Sequence, residues 1–358
     1  MVAEIAPDAF TVDSEVLRAL VTEIFARCGM RPGDARYLAG TLVDADLRGV
    51  HSHGVLRVPE YTRKLTVGGV DPQGQPSVVR DVGACQVVDG GNSMGQIGLR
   101  FAMQRAVERA ATSGIAAVAI RGSNHCGALA TYVLQAVEQD MLGIVTTNAL
   151  PTMAPWGGAE RILGINPLGV GIPAGTELPV VYDAAFSASA HGKIRVFQQR
   201  GQPLPAGWAL NQAGLPTTDP AEAIDGLLLP IGDFKGANLA FIMGILASML
   251  SGASYGTELG DMHAGPVAGQ DGHFACAIRI DAFEDAPRFK GRVDAAIREL
   301  HGVKRAPGFD RVLAPGEKEF LTAQLYAQSG IPLTHQTVTD VLDTARQLGV
   351  PGSIQPSL

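Results

Sequence analysis

The sequence predicts an α/β protein in which a mixed middle region is inserted into a helical domain built from both ends of the chain. Three observations carry this. Apolar residues recur at helical spacing over 16–65, short β-branched runs alternate with helical patterns over 86–280, and helical spacing returns over 338–348. The expected boundaries are 1–75 for the first helical part, 76–294 for the α/β domain and 295–358 for the second helical part. A chain of 358 residues, 46% hydrophobic and 18% charged, has room for two such folded units.

Each element has a local reason. Asp13-Ser14 is an N-cap region, and Val16, Leu17, Leu20, Val21, Ile24 and Phe25 follow at helical spacing until Gly29 stops the helix. Pro32-Gly33-Asp34 opens a second helix through Ala35, Leu38, Ala39, Leu42 and Val43 to Asp46. Arg48-Gly49 then delivers the polar run His51-Ser52-His53-Gly54-Val55-Leu56-Arg57, ahead of another helix over 58–65. Past the turn-rich Gly68-Gly69-Val70-Asp71-Pro72, a strand is expected over 86–89, a turn at Gly90-Gly91-Asn92, a helix over 97–111 and a buried strand over 115–120. A helix closing over 135–140 precedes a strand over 142–147, with further strands over 168–172, 178–182 and 274–280. Val338, Val341, Leu342, Ala345 and Leu348 line one face of a final helix ended by Gly349 and Pro351.

Composition removes several function classes. The net charge of −7 and the lack of any Lys/Arg run argue against nucleic acid as a partner. Four cysteines (Cys28, Cys85, Cys126 and Cys276) are scattered with no C-x-x-C, which fits reduced thiols and a cytoplasmic location. Met1-Val2-Ala3-Glu4-Ile5 has neither a basic nor an apolar leader segment, so secretion is not expected. The uncharged stretch 237–256 has the length of a membrane span, yet it contains Asn238, Ser248, Ser251, Ser254, Gly244, Gly252 and Gly256. Its apolar part, 239–250, suits a core or subunit-interface helix, and no membrane contact is expected.

The run at His51–Arg57 concentrates chemistry. An imidazole exchanges protons near neutral pH, a neighbouring hydroxyl can orient it, and an arginine can clamp a carboxylate. His53 and Arg57 are four apart, so one helical turn would put them on one face. The plain alternative is a polar loop with a half-buried histidine. A Rossmann fold is not supported, because the one match to G-x-G-x-x-A, Gly169-Val170-Gly171-Ile172-Pro173-Ala174, has a proline where a helix would start. A different anion cradle is offered by Ser123-Asn124-His125-Cys126-Gly127-Ala128-Leu129, between a strand and a helix whose free N–H groups would suit a pyrophosphate; an ordinary capped helix start is the alternative. Lys235 sits at the head of the uncharged helix, where the helix dipole disfavours a cation, and this suggests a ligand role. His51-x-His53 also admits a metal-dependent hydrolase, with His125, His191 or His273 joining only by folding. No H-E-x-x-H or G-x-S-x-G supports a hydrolase, and Cys126 as nucleophile has only adjacency to His125.

Taken together the chain resembles the malate/L-lactate dehydrogenase family of the non-Rossmann kind, which also includes ureidoglycolate, sulfolactate and cyclic-imino-acid oxidoreductases. The resemblance rests on an ordered set: Asp46-Leu47-Arg48-Gly49-Val50-His51-Ser52-His53-Gly54, Ser123-Asn124-His125-Cys126-Gly127, Thr147-Asn148 with Pro151 and Ala154-Pro155, and Gly164-Ile165-Asn166-Pro167. It continues with Asp183 and Ser187, Gly192-Lys193, Pro216-Thr217-Thr218-Asp219-Pro220, Lys235-Gly236 and Pro315-Gly316-Glu317.

The resemblance implies NAD- or NADP-dependent interconversion of a 2-hydroxy acid with its 2-oxo acid, or of an amino acid with its imine. It implies a largely antiparallel cofactor-binding sheet and a homodimer with its active site between domains. His53 would be the acid/base, oriented by Ser52, with Arg57 on the substrate carboxylate; the histidine matching His125 serves as base in some members. His125, Cys126, Gly127, Ala128, Leu129, Asp183, Lys235, Pro315, Gly316 and Glu317 would contact the cofactor, and no metal is implied. The family commonly has Asp where His51 stands and Thr where Ile165 and Phe186 stand. Ile165, at a substrate-touching position, therefore suggests altered substrate contacts. Lys193 matches the hydroxy-acid branches, so a hydroxy acid is expected, with a cyclic imino acid as alternative. A catalytically silent binding protein would have only Ile165 and Phe186 in its favour.

Overall fold

The computed structural model describes residues 10–199, 201–260 and 269–352. The leader region read above, Met1 to Ile5, lies outside the described residues.

Asp13 caps the first helix, Ser14–Arg27, its carboxylate accepting the N–H groups of Glu15 and Val16. Leu17, Leu20, Val21, Ile24 and Phe25 form its buried stripe, whereas Val16 points to solvent. That helix packs on Pro32–Leu47, and a core gathers around them from both ends of the chain, including Tyr326, Val338 and Val341. The strand Phe10–Val12 pairs antiparallel with Ile331–Leu333.

A seven-stranded sheet runs in the order Ser77–Val82, Cys85–Asp89, Ile115–Ser123, Asp271–Arg279, Met141–Thr147, Leu168–Ile172 and Val180–Ala184. Only Cys85–Asp89 with Ile115–Ser123 is a parallel pair; the other neighbours are antiparallel. Helices Gly95–Ser113 and Ala130–Val137 pack on this sheet over a second core that includes Val88, Leu99, Met103, Tyr132 and Val145. Gly143, Gly169 and Gly171 let the second helix sit flush, since a Cβ on any of them would come within 3.0 Å of Leu129, Val133, Ala136 or Val137. The formal G-x-G-x-x-A match is thus a strand that accommodates a helix.

The expected strand over 178–182 lies at Val180–Ala184, and the one over 274–280 begins earlier, at Asp271. A five-stranded sheet built from Pro151–Met153, Leu163–Gly164, Ala209–Leu210, Pro216–Thr217 and Leu227–Leu228 has no expected counterpart. Strands of two or three residues carry too little alternation to register as a period. The uncharged stretch forms the helix Phe234–Ala247 and then turns, and among the described residues no helix is long and apolar enough to cross a membrane.

Candidate active site

The strand ends of the larger sheet converge on one edge. Ser123 lies opposite Asp271, Thr147 opposite His273, Thr146 opposite Leu168, and Asp183 opposite Gly169. His273 is fully buried there, one ring nitrogen 2.7 Å from Thr147 Oγ1 and the other 2.8 Å from Ser123 Oγ. Burial pushes its imidazole down to about 4, so the ring is neutral and bridges two hydroxyls. Asn124 donates to Ser93 O and Asn92 Oδ1, which fixes the segment leading into His125.

The polar run folds as two consecutive 3₁₀ turns, His51–His53 and Val55–Arg57, that lead directly into the helix Val58–Thr66. Ser52 Oγ lies 3.0 Å from His53 Nδ1. Arg57 donates from Nε to Ser52 O at 2.9 Å and from Nη1 to Glu60 at 2.8 Å, leaving other guanidinium N–H groups for a ligand. Burial and, second, the Arg57 charge push His53 down to about 4.

The turn faces the sheet edge through its histidine. The rings of His53 and His125 lie parallel, 5.7 Å between centroids and 8° between planes. Tyr61 Oη is 2.6 Å from His125 Nδ1 and in turn accepts a hydrogen bond from Gln96 Nε2 at 3.2 Å. Burial first, then Arg57, His53 and His273, hold His125 well below the usual histidine range. Tyr61 and Gln96 were absent from the sequence reading. Tyr61 lies four residues beyond Arg57, one turn into the helix Val58–Thr66, and this was the available signal; the expected single helical turn from His53 to Arg57 does not form, because extended Gly54 separates two 3₁₀ turns.

The anion cradle needs correction. Asp183 accepts the N–H groups of Ala130, at 2.9 Å, and of Leu129, so the start of the helix is capped by the protein's own carboxylate. A phosphate there would meet that negative charge. Cys126 and Leu129 turn their side chains into the core, so these two, like Gly127, offer a ligand only backbone. Burial also pushes the Cys126 thiol up, which removes the thiolate that a nucleophile needs.

Pro315-Gly316-Glu317 docks on Val181, two residues before Asp183 in the strand Val180–Ala184. Val181 N–H donates to Pro315 O at 2.9 Å, and Gly316 has φ +84° with its would-be Cβ 2.7 Å from Val181 O, a place only glycine fits. The Glu317 carboxylate is already committed, accepting Ala314 N–H at 2.9 Å and meeting His301 Nε2 at 2.7 Å. Ile165 belongs to a third apolar cluster with Met153, Leu163 and Phe186. Phe186 N–H donates to Ile165 O and Ile231 N–H to Phe186 O, so this cluster reaches the head of the helix Phe234–Ala247. Lys235 is exposed there and makes no ion pair with another described residue. Lys193 instead lies over the Trp208 ring, 4.8 Å from its centroid.

The two histidines of His51-x-His53 part company. His51 Nδ1 meets Asp46 and its ring stacks near Tyr326, whereas His53 faces His125. Among the described residues no group of three or more His, Cys, Asp or Glu side chains is arranged to hold a metal ion.

A profile of the malate/L-lactate dehydrogenase family matches residues 12–342. The chain is 34% identical over 349 residues to malate dehydrogenase of Pyrococcus abyssi, spanning 95% of this chain and 96% of that protein. It is 30% identical over 324 residues to ureidoglycolate dehydrogenase (NAD(+)) of Escherichia coli K12, spanning 90% and 92%. Its fold superposes on sulfolactate dehydrogenase from Methanocaldococcus jannaschii with a TM-score of 0.89 at 33% identity, covering 95% and 98% of the two chains. With the profile covering nearly the whole length and these relatives matching end to end, the chain belongs to the malate/L-lactate dehydrogenase family.

Proposed function

We propose that the protein is an NAD-dependent oxidoreductase that interconverts a 2-hydroxy acid and its 2-oxo acid. The observation that carries this reading is the pair of parallel imidazoles of His53 and His125, with Arg57 beside His53. Arg57, steadied by Ser52 O and Glu60, anchors the substrate carboxylate. His53 is neutral, and in the tautomer whose Nδ1–H is donated to Ser52 Oγ its Nε2 is open to take the hydroxyl proton during oxidation and to return it during reduction. Tyr61 accepts from Gln96 and so directs its own hydrogen to His125 Nδ1, which leaves His125 with Nε2–H as a donor to the substrate oxygen. The network therefore favours His53 over His125 as the base.

The residues present fit a dinucleotide. The outer side of Asp183 offers an acceptor for a ribose hydroxyl, the Pro315-Gly316 turn lies against the same strand, and Lys235 is an exposed cation for a phosphate or substrate oxygen. When bound, NAD supplies the nicotinamide ring that takes up or gives back hydride. Ile165, in its apolar cluster with Phe186, supports a substrate with an apolar or bulkier side chain.

The larger sheet, with its single parallel pair, acts in this reading as a non-Rossmann cofactor domain over 76–294, inserted into a helical domain of 1–75 and 295–358. Phe234, Leu239, Phe241, Ile242, Met249 and Leu250 expose apolar surface along one helix and its continuation, which supports a homodimer. The free cysteines support a cytoplasmic location.

A panel of 2-oxo acids and cyclic imines, read at the nicotinamide absorbance with NADH and NADPH, tests the proposal. Turnover of a 2-oxo acid with NADH is expected. Turnover of cyclic imines alone would move the protein to the imine reductases, and no thermal shift with either nucleotide would sink both readings. Activity that survives a chelator disposes of the metal-dependent hydrolase.

A further inference from the structure

We infer that Asp46 and His51 form a positioning pair that holds the turn carrying His53 and Arg57, an inference that rests on the functional reading just given. The Asp46 carboxylate, at the end of the helix Pro32–Leu47, is 1% exposed. One oxygen meets His51 Nδ1 at 2.7 Å, and the other accepts the Val55 N–H at 2.7 Å. A carboxylate this deeply buried is tolerated only when its oxygens are paired. The two contacts are therefore conditions on the shape of the turn.

The carboxylate also lies directly on the backbone between His53 and Val55. A Cβ on Gly54 would fall 2.1 Å from Asp46 Oδ1, so residue 54 has no room for a side chain while Asp46 is in place. From that point the ties run outward to the working groups. His53 N–H donates to Val50 O, Arg57 N–H to Gly54 O, and Arg57 Nε to Ser52 O. On its other side the His51 ring stacks near Tyr326, 6.3 Å between centroids, in the helix Glu317–Ser329. That helix begins at the turn docked on Val181, in the strand that carries Asp183. His51 thus couples the acid/base turn to the element that leads from the cofactor side. It touches neither His53 nor His125 through its ring, which makes it a positioning residue in this account.

Steady-state kinetics on the 2-oxo acid found in the panel, for His51→Ala, Asp46→Asn and the double variant, provides the test, together with NADH affinity by fluorescence and the thermal midpoint. Each single variant should lower kcat roughly tenfold to a hundredfold, the cost of a misplaced reacting group, while NADH binds as in the parent. The double variant should be no slower than the worse single, because both changes break one contact. His51→Asn, whose amide nitrogen stands where Nδ1 does and can again donate to Asp46, should recover most of the loss.

Undiminished kcat in His51→Ala would overturn the inference. So would multiplicative losses in the double variant, or a loss that only follows the fraction of unfolded protein. His51 is partly exposed, so its variants remain readable even where Asp46→Asn fails to fold. A parent enzyme inactive on every substrate would instead overturn the functional reading.

Discussion

The turn that carries His53 and Arg57 draws its hydrogen bonds almost wholly from residues 46–61, whereas the sheet edge that carries His125 is tied by residues near 93, 147, 183, 273 and 315. The first is a local structure, cross-braced by one buried carboxylate. The second exists only after the strands pair, because Ser123, Thr147 and His273 come from three strands held in register. The difference teaches where precision comes from in this site. The turn carrying His53 is shaped by its own sequence, and the histidine it faces, His125, is placed by the whole sheet.

Breaking the turn should have the largest effect. His53→Ala should lower kcat by roughly a hundredfold to ten-thousandfold, the range for removing a general acid/base, with NADH binding retained. If His125→Ala shows the larger loss and His53→Ala leaves turnover unchanged, the base belongs to the sheet edge.

The edge has its own signature in pH. His273 is held near about 4 by burial, and His53 likewise, against 6.5 for an ordinary histidine. Both are neutral in the folded chain and take up a proton in the unfolded chain below about 6.5, so the unfolded state binds more protons in that window. Stability should be full above this window and fall as the pH drops toward about 4. A thermal midpoint that stays level from pH 7 to 4 would contradict the buried, neutral state of His273.

Smallest in effect is the cap that Asp183 places on the helix Ala130–Val137. Asp183→Ala frees the Leu129 and Ala130 N–H groups and should cost about 1 kcal/mol of stability, the scale of a capping interaction. It should also weaken NADH binding without changing the pH dependence of turnover. Unchanged NADH affinity would remove Asp183 from the cofactor side of the comparison.

The same contrast explains what could be read in advance. The helices Ser14–Arg27, Pro32–Leu47 and Val58–Thr66 follow from caps, prolines and apolar spacing, and so does the placing of His53 and Arg57 at a junction between helices. The strand Met141–Thr147 was legible because it carries an apolar run from Met141 to Val145, and Cys85–Asp89 because paired valines precede the Gly90-Gly91-Asn92 turn. Hidden were the partners that lie far away in the chain: Tyr61 on His125, Asp183 on the helix start, His273 between two hydroxyls, and Tyr326 beside His51. The short strands of the smaller sheet stayed hidden for a different reason, since two residues have no period.

By itself the sequence determined the α/β class, the helical ends, the chemistry-bearing run at His51–Arg57 and, through its ordered motifs, the family. Tertiary structure alone decided that the N–H groups at the head of the helix Ala130–Val137 are filled by Asp183, that His51 serves Asp46 while His53 faces His125, and that Tyr61 orients His125. The physical reason is range. Caps, turns and periodicity act over a few residues, whereas the protonation and direction of a buried imidazole depend on whichever distant group the folded chain places against it.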